Sequence, residues 1–508
     1  MIDLKTYIDT LEKKTVAVLG LGASGISCVR ALVKAGAKVY AWDDSQEACA
    51  QGAEAGAEIV TLNAKTLGEC DALIAAPGVP LNFPEPHPVI LAAQDAEIEI
   101  LGDIELFYRA APDRKIIAVT GTNGKSTTVT LIHHILQECG VKAVLGGNIG
   151  TPVLDLKLPP KNGGVIVLEL SSFQLDLCRK FTPDIGVLLN LSPDHIDRHG
   201  TMEAYAAIKE KIFNRFGRDG GGAVIGIDDP YSKEIFERLK IAQDRRIVPV
   251  SVQDTPQRGV YVAGNSLMDA LDVDVSSASD SDSAINATTS TNTSTNTALE
   301  VGSLANITKL HGLHNYQNAA IAYAVARLLG LDSQAVLEAI KTFPGLAHRQ
   351  FPLKVINGVA YINDSKATNA DAAGKALASF RNIYWIVGGK PKDGGLKGLE
   401  VYKENIKHAF LIGEAREDFA LWMDLNGIEH SDCGTLDKAL AAAHALAQDQ
   451  RGQPGGAGVV LLSPACASYD QFKSFEHRGD VFAQLVAALP DDDAAAQSDL
   501  VSATGGTR

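Results

Sequence analysis

An apolar run, Ile116–Thr120, breaks at a turn reading Gly121-Thr122-Asn123-Gly124-Lys125-Ser126-Thr127, after which Val129, Ile132, Ile135 and Leu136 recur at helical spacing. Few patterns constrain a fold so tightly. A strand that feeds a helix through a glycine turn is the first half of a βαβ unit, whose crossover helix lies over one face of a parallel sheet. The turn also has its own chemistry: backbone N–H groups ring an anion, a lysine ammonium neutralises β- and γ-phosphate charge, and the next hydroxyl reaches Mg²⁺. Val119 stands where a strict G-x-x-x-x-G-K-[ST] loop has its first glycine. Strand, Gly-Lys-Ser-Thr and helix nevertheless coincide, so ATP or GTP is the expected ligand, with a structural loop as the bland alternative.

A second glycine turn lies upstream. Gly20-Leu21-Gly22-Ala23-Ser24-Gly25 follows the apolar strand Thr15–Leu19 and opens a helix with Ile26, Val29, Leu32 and Val33 inward. Gly36 ends that helix, Lys38–Trp42 is the next strand, and Asp43 and Asp44 follow about twenty residues past the turn, as in a dinucleotide fingerprint. The glycines specify only a tight turn and close approach of a pyrophosphate, which leaves a dinucleotide, another nucleotide and a structural turn all open. With two such turns in succession, one is economically read as holding a phosphoryl donor and the other a second phosphate-bearing substrate.

Further strand-like runs, Asp71–Ala76, Val165–Leu170, Ile185–Leu189, Ala223–Gly226, Val355–Ile362, Ile383–Val387, Ala409–Ile412 and Val459–Leu462, alternate with helix-length segments. At 508 residues the chain exceeds one ordinary core. The pattern predicts three α/β domains in series, over residues 1–114, 115–346 and 347–489. Residues 276–297 are nearly all Ser, Thr, Asn, Asp and Ala with no aromatic side chain. They cannot offset the entropy of ordering and are expected to form a disordered insertion in the middle domain; the polar tail 490–508 is expected to fray.

Composition narrows the function. With 46% apolar and 21% charged residues the chain is globular, and no run approaches the roughly 18–20 apolar residues of a membrane span. Seven scattered cysteines argue against a disulfide framework or a structural zinc, and with a polar N-terminus they point to a reducing cytoplasm. A net charge of −15, from 46 basic and 61 acidic residues, repels nucleic acid and anionic membranes. An anionic substrate must then be held by local cations and backbone N–H groups.

The segments GGNIG at Gly146–Gly150, ELSSFQL at Glu169–Leu175, LSPDHIDRHG at Leu191–Gly200, HGLHNYQNAAIA at His311–Ala322, the pair His348-Arg349 and NDSKATN at Asn363–Asn369 follow the phosphate loop in order. Their sequence and spacing resemble the Mur ligases, ATP-dependent amide-bond ligases of peptidoglycan precursor synthesis. SPACASYDQFKSFEHRGD at Ser463–Asp480 is similar to the members that add D-glutamate, and the resemblance runs from about residue 14 to 485. It implies a Rossmann-like N-terminal domain for the UDP part of UDP-N-acetylmuramoyl-L-alanine and a P-loop ATPase-type central domain. A Rossmann-like C-terminal domain would bring D-glutamate, in a monomer that uses ATP and two Mg²⁺ ions. The first glycine turn is thereby reassigned from a nicotinamide cofactor to the UDP-substrate.

Residue by residue, the resemblance places Gly22, Ala23, Ser24 and the turn Asp43, Asp44, Ser45 near the uridine diphosphate, with Asn148 and His195 along the path of the muramoyl group to the γ-phosphate. Gly121, Thr122, Asn123, Gly124, Lys125, Ser126 and Thr127 would cradle ATP. Asn315 and Asn318 would meet its adenine side, Arg349 its phosphates and Asp364 its ribose, coupling domain closure to ATP binding. Ser126 and Glu169 would hold one Mg²⁺ and His195 the other, with Lys209 carried as a carbamate, an anionic ligand that requires a neutral amine to form. Lys366, Thr368, Lys392, Ser468, Tyr469 and Phe475 would hold D-glutamate, the neighbouring Lys390 standing as an alternative to Lys392. The implied catalytic set is Lys125, Glu169, His195, Lys209 and Lys366.

Read from their neighbours alone, these residues are blander. Lys209, beside Glu210 and Lys211, is a surface lysine; Glu169 and His195 are structural; His314-Asn315 caps a helix and Arg349 is a linker cation. The rival functions are a same-fold ligase with another acceptor, such as a folylpolyglutamate synthase, an NAD-dependent oxidoreductase built on residues 15–44, and a nonenzymatic P-loop switch.

Overall fold

The structure, a computed structural model, describes residues 2–110, 113–213, 221–241, 246–271, 298–305, 307, 309–310, 312–392, 394–453 and 457–490. The expected disordered insertion 276–297 and all but the first residue of the expected fraying tail lie outside the described residues. The chain divides into two compact units, residues 1–306 with 313–343, and residues 307–312 with 344–508.

The first unit holds two sheets. In the smaller, β1 (Thr15–Leu19), β2 (Lys38–Trp42), β3 (Glu58–Ile59), β4 (Ala72–Ala75) and β5 (Glu99–Leu101) lie parallel in the order β3-β2-β1-β4-β5. Val16 and Val18 pack with Val29 and Leu32 of the helix Ala23–Lys34, while Ala17 and Leu19 face Leu73 and Ile90. Coverage on both faces explains why β1 reads as an unbroken apolar run.

The larger sheet comprises β6 (Lys115–Thr120), β7 (Ala143–Gly147), β8 (Val165–Glu169), β9 (Ile185–Leu188), β10 (Gly222–Gly226), β11 (Arg246–Ser251), β12 (Val260–Ala263), β13 (Ser266–Asp269) and β14 (Leu299–Ser303). Their order is β14-β13-β12-β11-β10-β9-β6-β8-β7, parallel from β7 to β12 and antiparallel beyond. The chain moves outward from β6 in both directions, so the crevice past its carboxyl end is a topological switch point, where such sheets bind ligands. The end of β6 is Thr120, directly before the phosphate loop.

Glu105 joins the two sheets. It is fully buried on the helix Asp103–Ala110, and its carboxylate accepts N–H bonds from Arg179, Lys180 and Phe181 at 2.9–3.0 Å and from Arg109 Nε at 2.8 Å. Four donors on one carboxylate satisfy a charge that burial would otherwise penalise heavily.

The second unit contains β15 (Phe351–Ile356), β16 (Val359–Asn363), β17 (Ile383–Gly388), β18 (Ile406–Ile412), β19 (His430–Gly434) and β20 (Val459–Leu462), ordered β15-β16-β20-β17-β18-β19. All pair in parallel except β15, which runs against β16. The single strand expected over Val355–Ile362 is therefore wrong: it is a hairpin in which Ile356 pairs with Val359. Asn357 at φ 50° and Gly358 at φ 84° make the two-residue turn, and both need the left-handed conformation that Asn-Gly supplies. Among the described residues no helix is long and apolar enough to cross a membrane.

Candidate active site

The phosphate loop is held from several sides. Gly121, at φ 152°, would bring a Cβ within 2.8 Å of Leu189 Cβ, and Gly124, at φ 84°, within 2.5 Å of Asn318 Oδ1. Thr122 Oγ1 accepts from Ser192 N at 3.0 Å and lies 3.2 Å from Tyr205 Oη; Asn123 N donates to Asn190 Oδ1 at 2.9 Å. Lys125 Nζ donates to Gly121 O and Thr122 O at 2.9 and 2.8 Å, while Ser126 and Thr127 are buried in the first turn of the helix Lys125–Glu138. Asn318 accepts from Thr128 Oγ1 and donates to Asn315 Oδ1, both at 3.2 Å, so the two asparagines form a buried pair with Asn318 against Gly124.

Lys209 overturns its surface reading. The helix Met202–Glu210 turns Tyr205 and Lys209, one turn apart, into the core. Lys209 is 1% exposed; its Nζ donates to Gly121 O at 3.0 Å and Thr120 Oγ1 at 3.2 Å, and sits 4.8 Å from the Tyr205 ring centre. Gly121 O thus accepts from two lysine side chains. Burial first, and then the charge of Lys125, holds the Lys209 pKa well below the ordinary lysine range.

Glu169 ends β8 opposite Val119 of β6. It is buried; Oε1 accepts from Asn148 Nδ2 at 2.9 Å, and Oε2, also buried, has no hydrogen-bond partner among the described residues. His195 projects outward at a left-handed φ of 53°, its ring 4.9 Å from that of Phe173. His199 is instead buried between Phe173 and Tyr205, shares a 3.0 Å hydrogen bond with Ser172 Oγ, and is pushed by burial to a pKa of about 4.

Among the described residues no three His, Cys, Asp or Glu side chains gather as a metal cage. Mg²⁺ does not need one, because it keeps waters and takes one or two carboxylates together with phosphate oxygens. The unpartnered Glu169 Oε2 beside the phosphate strand fits such an ion.

The first glycine turn is built differently. Asp43 Oδ2 accepts from Leu21 N at 2.7 Å and Oδ1 from Ser45 N at 2.8 Å, while Ser45 Oγ caps the helix Gln46–Glu54 by accepting from Ala48 N. Gly22, Ala23, Asp44 and Ser45 are exposed and Ser24 is half-buried. The loop after β4 is gripped by Arg198 of the short helix Ile196–His199, which no sequence motif singled out and which donates to Val79 O at 2.6 Å and Phe83 O at 3.3 Å.

In the second unit, Lys366 Nζ lies 3.7 Å from the Phe475 ring centre, and Ser468 is 1% exposed with an Oγ that finds no hydrogen-bond partner among the described residues. Lys390 and Ala467 exchange backbone hydrogen bonds, which draws the Gly-Gly-Lys-Pro-Lys run to the segment before Ser468. Thr368 is half-buried; Lys392 is exposed, and Tyr469, 71% exposed, is not gathered into this cluster. Asp364 accepts from Gln350 N at 3.0 Å and Ser463 Oγ at 2.8 Å, and burial raises its carboxyl to about 7 against the lowering effect of these two hydrogen bonds and, less, of Arg349.

Residues 119–326 match the Mur ligase middle domain and residues 14–102 the MurD-like Mur ligase N-terminal domain. The UDP-N-acetylmuramoylalanine–D-glutamate ligase of Paramagnetospirillum magneticum is 45% identical over 488 residues, covering 96% of this chain and 99% of that protein. The chain belongs to the Mur ligase family. A second full-length relative, from Nitrobacter winogradskyi and of the same name, is 44% identical over 95% of this chain and 98% of its own length. Two solved Mur ligases share the fold at 17% identity and a TM-score of 0.53, both from Thermotoga maritima. They are UDP-N-acetylmuramate-alanine ligase, covering 93% of this chain, and MurF ligase in complex with ADP, covering 96%. The expected three-part α/β architecture is that of these Mur ligases.

Proposed function

We propose that this Mur ligase joins D-glutamate to UDP-N-acetylmuramoyl-L-alanine, converting ATP to ADP and phosphate. The observation that carries most weight is the phosphate loop with two lysines on one carbonyl and an unpartnered buried carboxylate oxygen beside it. The full-length relatives named for that ligation support the choice of substrates.

A carboxylate cannot be displaced directly because oxide is too poor a leaving group. The γ-phosphoryl group of ATP therefore passes to the alanyl carboxylate, giving an acyl phosphate and ADP; the amine of D-glutamate then attacks the acyl carbon, loses a proton and expels phosphate. Catalysis of the first step is positioning and charge neutralisation. The N–H groups of Gly121–Thr127 and the Lys125 ammonium hold the phosphates, and Asn315 with Asn318 borders the adenine side. Ser126, Glu169, His195 and a carbamate on Lys209 would hold two Mg²⁺ ions, which would supply further charge neutralisation. Suppressed protonation leaves Lys209 the neutral amine that adds CO₂ and releases a proton.

Asn148 both steadies Glu169 and borders the muramoyl path, while Gly22–Ser24 and Asp43–Ser45 lie by the uridine diphosphate. Arg349 and Asp364 serve the nucleotide phosphates and ribose. Lys366 and Lys392 pair with the carboxylates of D-glutamate, Thr368 and Ser468 donate hydroxyl bonds, and Phe475 packs its methylenes. Tyr469, facing solvent, stands at the rim. The enzyme acts as a cytoplasmic monomer on small molecules.

Phosphate release measured with ATP, Mg²⁺ and UDP-N-acetylmuramoyl-L-alanine should require D-glutamate, with L-glutamate and no amino acid as controls. Release without that preference would remove the acceptor assignment.

A further inference from the structure

Arg478 lies on the helix Phe475–Ala487 and is 1% exposed. Its Nε donates to Ser365 Oγ at 3.0 Å; Nη2 donates to Ser365 O at 2.8 Å and Cys466 O at 3.2 Å; and Nη1 donates to Ala467 O at 3.4 Å. Ser365 Oγ in turn donates to Phe475 O at 2.8 Å. These partners adjoin the proposed amino-acid contacts: Ser365 precedes Lys366, Ala467 precedes Ser468, and Phe475 opens the arginine's own helix. A Cβ at Gly389, before the Lys390–Lys392 run, would come within 3.2 Å of Nη1, so that segment also closes on the guanidinium.

The acceptors are a hydroxyl and three carbonyls, all neutral, and among the described residues no carboxylate forms an ion pair with Arg478. Asp470, the one carboxylate whose charge bears on it, accepts from Glu414 N through Oδ2. A buried cation paired with no anion is a standing penalty on the fold, and a dianionic ligand docked nearby relieves it. A fork of fixed donors is also a better brace than a lysine, which offers one flexible ammonium.

We propose that Arg478 is the positioning residue of the amino-acid site. It locks Lys366, Ser468 and Phe475 into one arrangement and supplies the fixed positive potential that draws in a dicarboxylate. This rests on the second unit being the D-glutamate site.

The test compares the full-length wild type with R478M, R478K and S365A, measuring kcat, KM for D-glutamate, ATP and UDP-N-acetylmuramoyl-L-alanine, and thermal melting. Wild-type turnover that requires D-glutamate comes first; its absence would sink the acceptor reading on which the proposal stands, before any variant is compared. Given that turnover, R478M should raise KM for D-glutamate about 10- to 100-fold while the other two KM values move by less than about twofold. R478K, which keeps the charge and loses the fork, should recover part of that loss, and S365A should shift the same KM about 3- to 10-fold. A purely structural brace would give no recovery in R478K and would raise all three KM values together, and that pattern overturns the proposal. Should R478M fail to fold, wild-type KM for D-glutamate in both R478K and S365A overturns it equally.

Discussion

The two glycine turns use one backbone device for different purposes. At Gly20–Gly25 the strand-end acid Asp43 turns inward and accepts from Leu21 and Ser45, so the negative charge braces the turn. At Gly121–Thr127 the bracing comes from neutral groups such as Asn190 and Ser192, while Lys125 and Lys209 converge on Gly121 O. Glycines at a strand–helix junction license close approach of a phosphate in both places. What differs is the charged side chains delivered around the turn, an acid at the first and two lysines at the second.

The contrast breaks most visibly at Lys125. K125M should lower turnover about 10³-fold while the circular dichroism spectrum is retained, since a transition-state cation is removed from a preorganised site; turnover near wild type would show the two turns to be equivalent. K209M should cost about 10²-fold in kcat with melting temperature unchanged or raised, because a buried amine is replaced by an apolar side chain of similar length. A ¹³C carbamate signal from labelled bicarbonate should be present in the wild type and missing in K209M. D43A should destabilise the protein by about 1–2 kcal/mol and raise KM for the UDP-substrate about 3- to 10-fold, leaving KM for ATP alone; an equal rise in both would mean that the turns are not separate sites.

The smallest effect concerns His199 behind the second turn. Burial places its folded pKa at about 4, below the usual 6.5. As pH falls, the unfolded chain takes up this proton first, so the contribution to stability is complete above about 6.5 and is lost on descending toward 4. In H199Q, melting followed across that window should depend less steeply on pH; an unchanged slope would assign the dependence to other groups.

Local rules were legible wherever a residue type is demanded by the backbone. Gly121 and Gly124 hold left-handed or crowded positions that no side chain tolerates, and the helices after both turns announced themselves by their apolar spacing. Asn357-Gly358 carried an equally local hairpin signal, which the surrounding apolar run of Val355–Ile362 masked. Lys209 had a half-legible signal in Tyr205 four residues earlier, on the same helical face, but its charged neighbours pointed to solvent. Arg478 had none and Glu105 only Arg109 four residues on, because their other partners lie 11–113 and 74–76 residues away in the chain.

By itself the sequence determined the alternation of strand, turn and helix, the phosphate loop with its lysine, and a set of motifs sufficient for the Mur ligase resemblance. These follow from steric and periodic requirements that act over a few neighbouring residues. Only the tertiary structure decided which charges are buried, which carbonyl two lysines share, which carboxylate oxygen is left without a partner and which arginine ties the second unit's cluster together. Desolvation and Coulomb energies depend on everything packed within a few ångströms, and folding brings those neighbours from distant parts of the chain.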